Sequence, residues 1–178
     1  MSIPDPDANL QPRRDRLEFW ESKLGKRSKR RIGLVWSGST TYKYDHSRSI
    51  DLASLLPHLP SGFDYVCLQK ELRDVDRAPM RFSAIRFFGD EQEDFTDAAA
   101  LCDLMDLVIS VDTSVAHLSG TLRKATWVLL AYTPHWPWML DRDDSPWYSS
   151  VKLYRQNSEM NWNSVFEKVR NDLLQLNL

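Results

Sequence analysis

Cysteine is scarce in this sequence: 178 residues hold only two, Cys67 and Cys102, far apart in the chain. Both fall in segments that read as buried, so they read most simply as free core thiols in a reducing compartment. No Cys/His spacing suits a zinc site. Charge of one sign is lacking as well. A formal net charge of −2 gives no overall electrostatic case for nucleic acid or an anionic membrane. No apolar run approaches the ~18 residues of a membrane span. The polar start is not a signal peptide. A soluble, cytoplasmic protein without a membrane span is expected. Neither a Walker A loop nor a GxGxxG fingerprint occurs, which argues against an ATPase and against an NAD dehydrogenase or another Rossmann enzyme of that kind. A serine nucleophile elbow, a paired-carboxylate spacing and a metal cluster are also missing, so nothing points to a self-contained hydrolytic site. No repeat of fixed period and no low-complexity tract occurs.

What is present is one organising stretch, Leu107 to Gly120. Leu107-Val108-Ile109-Ser110-Val111 is a short β-branched run with little alternation, as in a strand covered on both faces. Val115, Leu118, Ser119 and Leu122 follow at helical spacing. Asp112 or Thr113 is placed to cap that helix through a side-chain oxygen. His117 lies one turn after Thr113, on the face opposite the apolar stripe. A strand end, a helix start and a cluster of Asp, Thr, Ser and His therefore converge. Ligands of open α/β sheets sit at such strand ends, and the free N–H groups of a helix start favour phosphate.

One domain is the default at this length, and its core needs no disulfides. Residues 1–12 carry three prolines and few apolar groups, and read as a disordered lead-in. Leu17, Trp20 and Leu24 predict a helix over 13–24, packed back on this domain or on a partner domain. The basic run Lys26–Arg31 reads as a solvated linker, with a phosphate-contacting patch as the alternative. Residues 1–30 thus form a lead-in and linker, and 31–178 the domain.

From there strands and helices alternate. Strands are expected at Ile32–Trp36, Tyr65–Leu68, Ala84–Phe88, Leu107–Val111, Thr126–Ala131 and Val151–Tyr154. Helices are expected at Ile50–Leu56, capped by Ser49 or Asp51 and ended by Pro57; at Asp94–Met105, capped by Asp94 with Phe95 in its apolar stripe; after Asp112; and at Asn161–Leu176. Glu71–Arg77 reads as a charged turn or short helix closed by Pro79. This pattern implies an α/β, Rossmann-like, doubly wound and mostly parallel six-stranded sheet with helices on both faces.

Four constellations carry candidate chemistry. The loop Ser37–Arg48 follows the first strand. Gly38 permits close backbone approach, and Ser39, Thr40, Thr41, Lys43 and Arg48 can donate to phosphate oxygens. Alone, it also reads as a polar surface loop. Gln69 and Lys70 end the second strand, where a ribose or base contact and an ordinary turn are both open. Asp112, Thr113, Ser114 and His117 form the third group, with a capped helix and a surface histidine as the plainer alternative. Tyr132–Tyr148 is a long aromatic loop. It either walls a sugar or base pocket, or packs on the domain or a neighbour.

On these residues the chain resembles the C-terminal, nucleotide-binding half of a GT-B glycosyltransferase of the heptosyltransferase-like, family 9-like group, often found behind tetratricopeptide repeats in bacteria. The matching stretches are Ile32 to Gly38, Arg48 to Leu52, Leu68-Gln69-Lys70, Leu107 to Gly120 and Asp143 to Tyr148. The resemblance implies binding of a nucleotide diphosphate-sugar as substrate, with no metal ion and no cofactor. It implies phosphate contacts from Ser39, Thr40, Thr41 and Arg48, in a substrate-binding loop that also holds Ser37, Gly38 and Lys43. Asp112, Thr113 and Ser114 would hold the diphosphate or sugar, with His117 behind them, and Gln69 or Lys70 would lie near the ribose. Three departures stand out. Ser114 replaces the group's usual glycine, Arg123-Lys124-Ala125-Thr126 replaces a small proline-containing turn, and only about 30 residues precede the first strand. The group's acceptor domain supplies the catalytic carboxylate, so binding without efficient transfer is expected, and no catalytic residue is assigned. The alternative is a non-catalytic interaction module on the same fold, with a protein partner or a homodimer covering Trp136 and Trp138.

Overall fold

Apolar runs without polar alternation suit strands covered on both faces. In a computed structural model, which describes residues 10–176, these runs pair into one sheet. The first nine residues of the expected lead-in lie outside the described residues. The strands are Arg31–Val35 (β1), Asp64–Cys67 (β2), Arg86–Phe87 (β3), Leu107–Val111 (β4), Thr126–Leu130 (β5) and Val151–Arg155 (β6). They form a six-stranded sheet in the order β3-β2-β1-β4-β5-β6. Each neighbouring pair is parallel. The chain winds outward in one direction from β1 and in the other from β4. These two central strands are neighbours, and a crevice opens between the segments that leave them.

The helices are Arg14–Leu24 (α1), Asp45–Arg48 (α2), Leu52–Leu55 (α3), Asp74–Arg81 (α4), Phe95–Asp103 (α5), Ser114–Thr121 (α6) and Asn163–Leu176 (α7). Alternate strand residues face opposite layers. Ile32, Leu34, Leu107 and Ile109 pack with Leu52, Phe166 and Leu173 of α3 and α7. Val35, Val66 and Val108 pack with Trp20 of α1 and Leu101 of α5. The helix α1 therefore docks on the sheet's own layer. Trp20 is fully buried, and its Nε1 donates to the buried Asp97 Oδ1 at 2.8 Å.

Several expectations are corrected. The helix expected at Ile50–Leu56 is the short α3 followed by a 3-10 turn, Leu56–His58, that contains Pro57. Neither Ser49 nor Asp51 caps it; Asp76 Oδ1 accepts from Leu52 N at 2.8 Å instead. The charged segment before Pro79 is α4, which includes that proline two residues from its end. The third strand keeps only two residues. Asp94 caps α5 in a reciprocal capping box with Asp97, but Phe95 is 59% exposed and off the apolar stripe. Arg31 is not in a solvated linker: it is buried at the start of β1 and donates to the carbonyls of Leu24 and Gly25. Cys67 and Cys102 are buried free thiols, each pushed up to about 12 by burial. No helix among the described residues is long and apolar enough to cross a membrane.

Candidate functional site

β1 leads into Trp36, Ser37 and Gly38, and burial fixes this exit. Trp36 is fully buried and donates from Nε1 to Asp76 Oδ2 at 2.9 Å. Its own N–H and that of Ser37 donate to Gln69 Oε1 at 2.8 and 3.1 Å. Gln69 Nε2 in turn donates to Ser37 Oγ and to the Glu71 carbonyl. The side chain of Gln69 is thereby committed to joining the ends of β1 and β2, leaving Lys70 as the exposed group of that pair.

The loop then passes through Ser39 and Thr41, whose hydroxyls pair at 2.8 Å, into the single turn α2. Arg48 closes it. Its Nη1 donates to the Asp112 carbonyl at 2.6 Å, its Nε to Asp45 Oδ1 at 3.3 Å, and its guanidinium lies 4.4 Å over the Tyr42 ring. Gly38 permits this placement of Arg48, because a Cβ would stand 2.7 Å from Arg48 Cζ. A residue without a side chain lets the guanidinium lie directly on the loop.

Across the crevice, α6 begins at Ser114 with Thr113 as N-cap. Neither expected side-chain cap forms. Thr113 Oγ1 is 3.1 Å from Ser110 Oγ instead. The first-turn N–H groups of Ser114 and Val115 therefore lack an intrahelical acceptor and carry the positive end of the helix dipole.

These elements line one cleft of about 1110 Å³. Of the sequence-predicted residues it brings together Ser37, Gly38, Ser39, Thr40, Arg48, Gln69, Lys70, Thr113 and Ser114. Thr41, Lys43, Asp112 and His117 do not line it. Lys43 lies 5.3 Å over the Tyr44 ring. The lining is mixed in character. Arg48, Lys70, Arg73 and the uncapped helix start supply positive groups, Glu71, Asp74, Glu93 and Asp94 supply carboxylates, and Leu68, Val75 and Phe95 supply apolar surface.

Asp112 and His117 form a separate cluster behind the turn. His117 Nε2 is 3.9 Å from Asp112 Oδ1, and its Nδ1 is 3.1 Å from the Tyr148 hydroxyl. The imidazole stacks on Trp138 with centroids 4.8 Å apart. Burial lowers its pKa below the ordinary 6.5, against the opposing charge of Asp112 and with help from His135. His117 is thus not on a free polar face. Gly120 lets Tyr148 approach, since a Cβ there would lie 2.7 Å from its ring. Trp138 is fully buried with Val128, Leu130 and Leu153, so it cannot be covered by a partner; Trp136 is 68% exposed. Of the two readings of the aromatic loop, packing on the domain holds for Trp138.

Sequence reasoning missed Asp45 and Arg73. The spacing of Asp45 and Arg48, one helical turn apart, was an available signal. Nothing in the sequence pairs either with Arg73, 28 residues beyond Asp45. Asp45 is buried; burial opposes its charge, but hydrogen bonds from Ser49, Arg73 and Arg48 hold its carboxyl below the ordinary value. Among the described residues, no group of three or more His, Cys, Asp or Glu side chains is placed to hold a metal ion.

No protein-family model matches this chain, and no curated protein does. Solved structures do. The chain superposes on E. coli ADP-heptose lps heptosyltransferase II with a TM-score of 0.61 at 14% identity, covering 95% of this chain and 53% of that one. It superposes on the glycosyl transferase family 9 structure from Veillonella parvula DSM 2008 with a TM-score of 0.64 at 12% identity, with the same coverage of 95% and 53%. For WaaG, a glycosyltransferase involved in lipopolysaccharide biosynthesis, the values are 0.53 and 16%, covering 98% of this chain and 46% of that one. The fold is therefore the Rossmann-like α/β fold found in these glycosyltransferases, and this chain spans about half the length of each.

Proposed function

We propose that this chain binds a nucleotide diphosphate-sugar and serves as the donor-binding part of a GT-B, metal-independent glycosyltransferase. The observation that carries the reading is a pair of anion-binding groups in the crevice. Arg48 and the uncapped start of α6 face each other there at the switch point of a sheet shared with solved glycosyltransferases. A diphosphate in that position gains charge-assisted hydrogen bonds from the guanidinium and from backbone N–H groups. Loss of a nucleoside diphosphate builds charge on the phosphate oxygens, and prepositioned donors stabilise that charge without a metal ion. In this reading the apolar lining of Leu68, Val75 and Phe95 takes the nucleoside, with Lys70 beside the ribose. Asp112 acts through its carbonyl, which orients Arg48, and His117 supports the turn from behind. The acceptor and the catalytic carboxylate belong, in this reading, to an acceptor-binding domain. The buried free thiols fit a cytoplasmic setting.

Calorimetric titration against UDP, GDP, ADP, CMP and their sugar conjugates, with and without EDTA, tests the reading. Ligand at 100 times its Kd stabilises the fold by ~2.7 kcal/mol, which a thermal-shift measurement detects. One nucleotide diphosphate is expected to bind equally well in EDTA. Silence across the panel from folded protein would overturn the proposal, and binding abolished by EDTA would overturn its metal independence.

A further inference from the structure

Arg73, which follows β2, reaches the loop Ser37–Ser49 from the neighbouring segment on the same side of the crevice. It is the N-cap residue of α4, yet its Nη2 donates to the Gly38 carbonyl at 2.9 Å and to Ser49 Oγ at 3.0 Å, and it also pairs with Asp45 Oδ2. Ser49 Oγ donates to Asp45 Oδ1 at 2.9 Å and accepts from Gly38 N at 3.0 Å. Asp45 Oδ1 also accepts from Arg48 Nε. One guanidinium from outside the loop therefore ties its beginning, Gly38, to its end, Ser49. Through Asp45 it also fixes the guanidinium of Arg48. The Nε of Arg73 is buried without a hydrogen-bond partner, so the side chain is held by its Nη2 end alone.

We propose that Arg73 is a positioning residue for anion recognition: with Asp45 it sets the closed shape of the Ser37–Ser49 loop and thereby aims Arg48 into the cleft. This rests on the diphosphate-binding reading above, but the linkage has its own observable. Two guanidiniums share the carboxylate of Asp45, so the pair keeps one positive charge in excess. If that charge were all that mattered, neutralising Asp45 would strengthen anion binding. If positioning matters, the same change weakens it, because Arg48 loses its anchor.

Hydrogen exchange on the ligand-free protein isolates the linkage. In Arg73→Ala the amides of Gly38 and Ser49 are expected to exchange at least tenfold faster, while those of β4 and α5 keep their rates. Unchanged exchange at Gly38 and Ser49 overturns the proposal, whether or not any nucleotide binds. Should Arg73→Ala unfold, Asp45→Asn carries the same test. Affinity is then read for the nucleoside diphosphate that binds, or for inorganic pyrophosphate if none does. Asp45→Asn is expected to weaken it by tenfold or more, and tighter binding overturns the proposal. Arg73→Ala and Arg48→Ala are expected to be non-additive, the double variant losing little more than Arg48→Ala alone. Additive losses would make Arg73 an independent ligand contact and also overturn it. If the wild-type protein binds neither probe, the functional reading fails and the exchange rates alone decide the role of Arg73.

Discussion

Gln69 holds Ser37 at both ends of its amide: Oε1 accepts the Ser37 N–H at 3.1 Å and Nε2 donates to the Ser37 hydroxyl at 3.0 Å. The residue that looked like a ribose contact is a buried clasp between two strand ends.

Replacing Gln69 with Leu would leave the buried N–H groups of Trp36 and Ser37 without their acceptor. Each such orphan costs about 1–3 kcal/mol. Urea denaturation of the Gln69→Leu protein is expected to show a loss of about 2–6 kcal/mol. A change below about 0.5 kcal/mol, the range of a surface substitution, would show that the clasp is not formed.

Trp20→Ala tests whether α1 belongs to this body. The indole is fully buried between the helices and satisfies the buried carboxylate of Asp97. Removing a core Trp costs about 3–5 kcal/mol. A Trp20→Ala protein with wild-type stability would mean that α1 is undocked in solution.

The cluster behind the turn gives the fold a pH dependence. Burial, with Asp112 opposing, places the His117 pKa below the ordinary 6.5. The folded protein thus binds this proton more weakly than the unfolded chain does. Stability from this group is complete above 6.5 and falls as pH drops through that value toward the folded pKa. Denaturation midpoints are expected to decline between about pH 7.5 and 5.5, and His117→Gln to flatten that decline. An identical slope in the variant would contradict the buried position. Asp45 does not interfere, because its carboxyl titrates below 3.8.

Most of the fold was legible because the strands are short apolar runs buried on both faces, and because Asp94 marks the start of α5. The switch point followed from the alternation of strands and helices, which brought Gly38, Arg48, Thr113 and Ser114 to one edge. The remainder depends on long-range pairing that local patterns do not record. Gln69 meets Trp36 across 33 positions, and Asp76 rather than a neighbour caps α3. Phe95 has the right spacing for the α5 stripe, but it sits in the first turn, where the side chain faces the cleft. His117 shares a helical face with Thr113, yet the aromatic loop folds over that face.

Gly38→Ala separates recognition from stability. The added Cβ displaces the flexible end of Arg48 rather than backbone, so the expected stability cost is about 1 kcal/mol. Nucleotide affinity is expected to fall about tenfold, the equivalent of ~1.4 kcal/mol. Unchanged affinity would remove Arg48 from the site.

The most direct measurement is an amide chemical-shift titration of the folded protein with the nucleoside diphosphates, using assigned resonances. The expected result is saturable shifts concentrated at Ser37–Thr40 and at Thr113–Val115, the two edges of the crevice. Shifts confined to Trp136 and its loop, or to the basic run Lys26–Arg31 at the opposite end of β1, would contradict donor binding at the switch point.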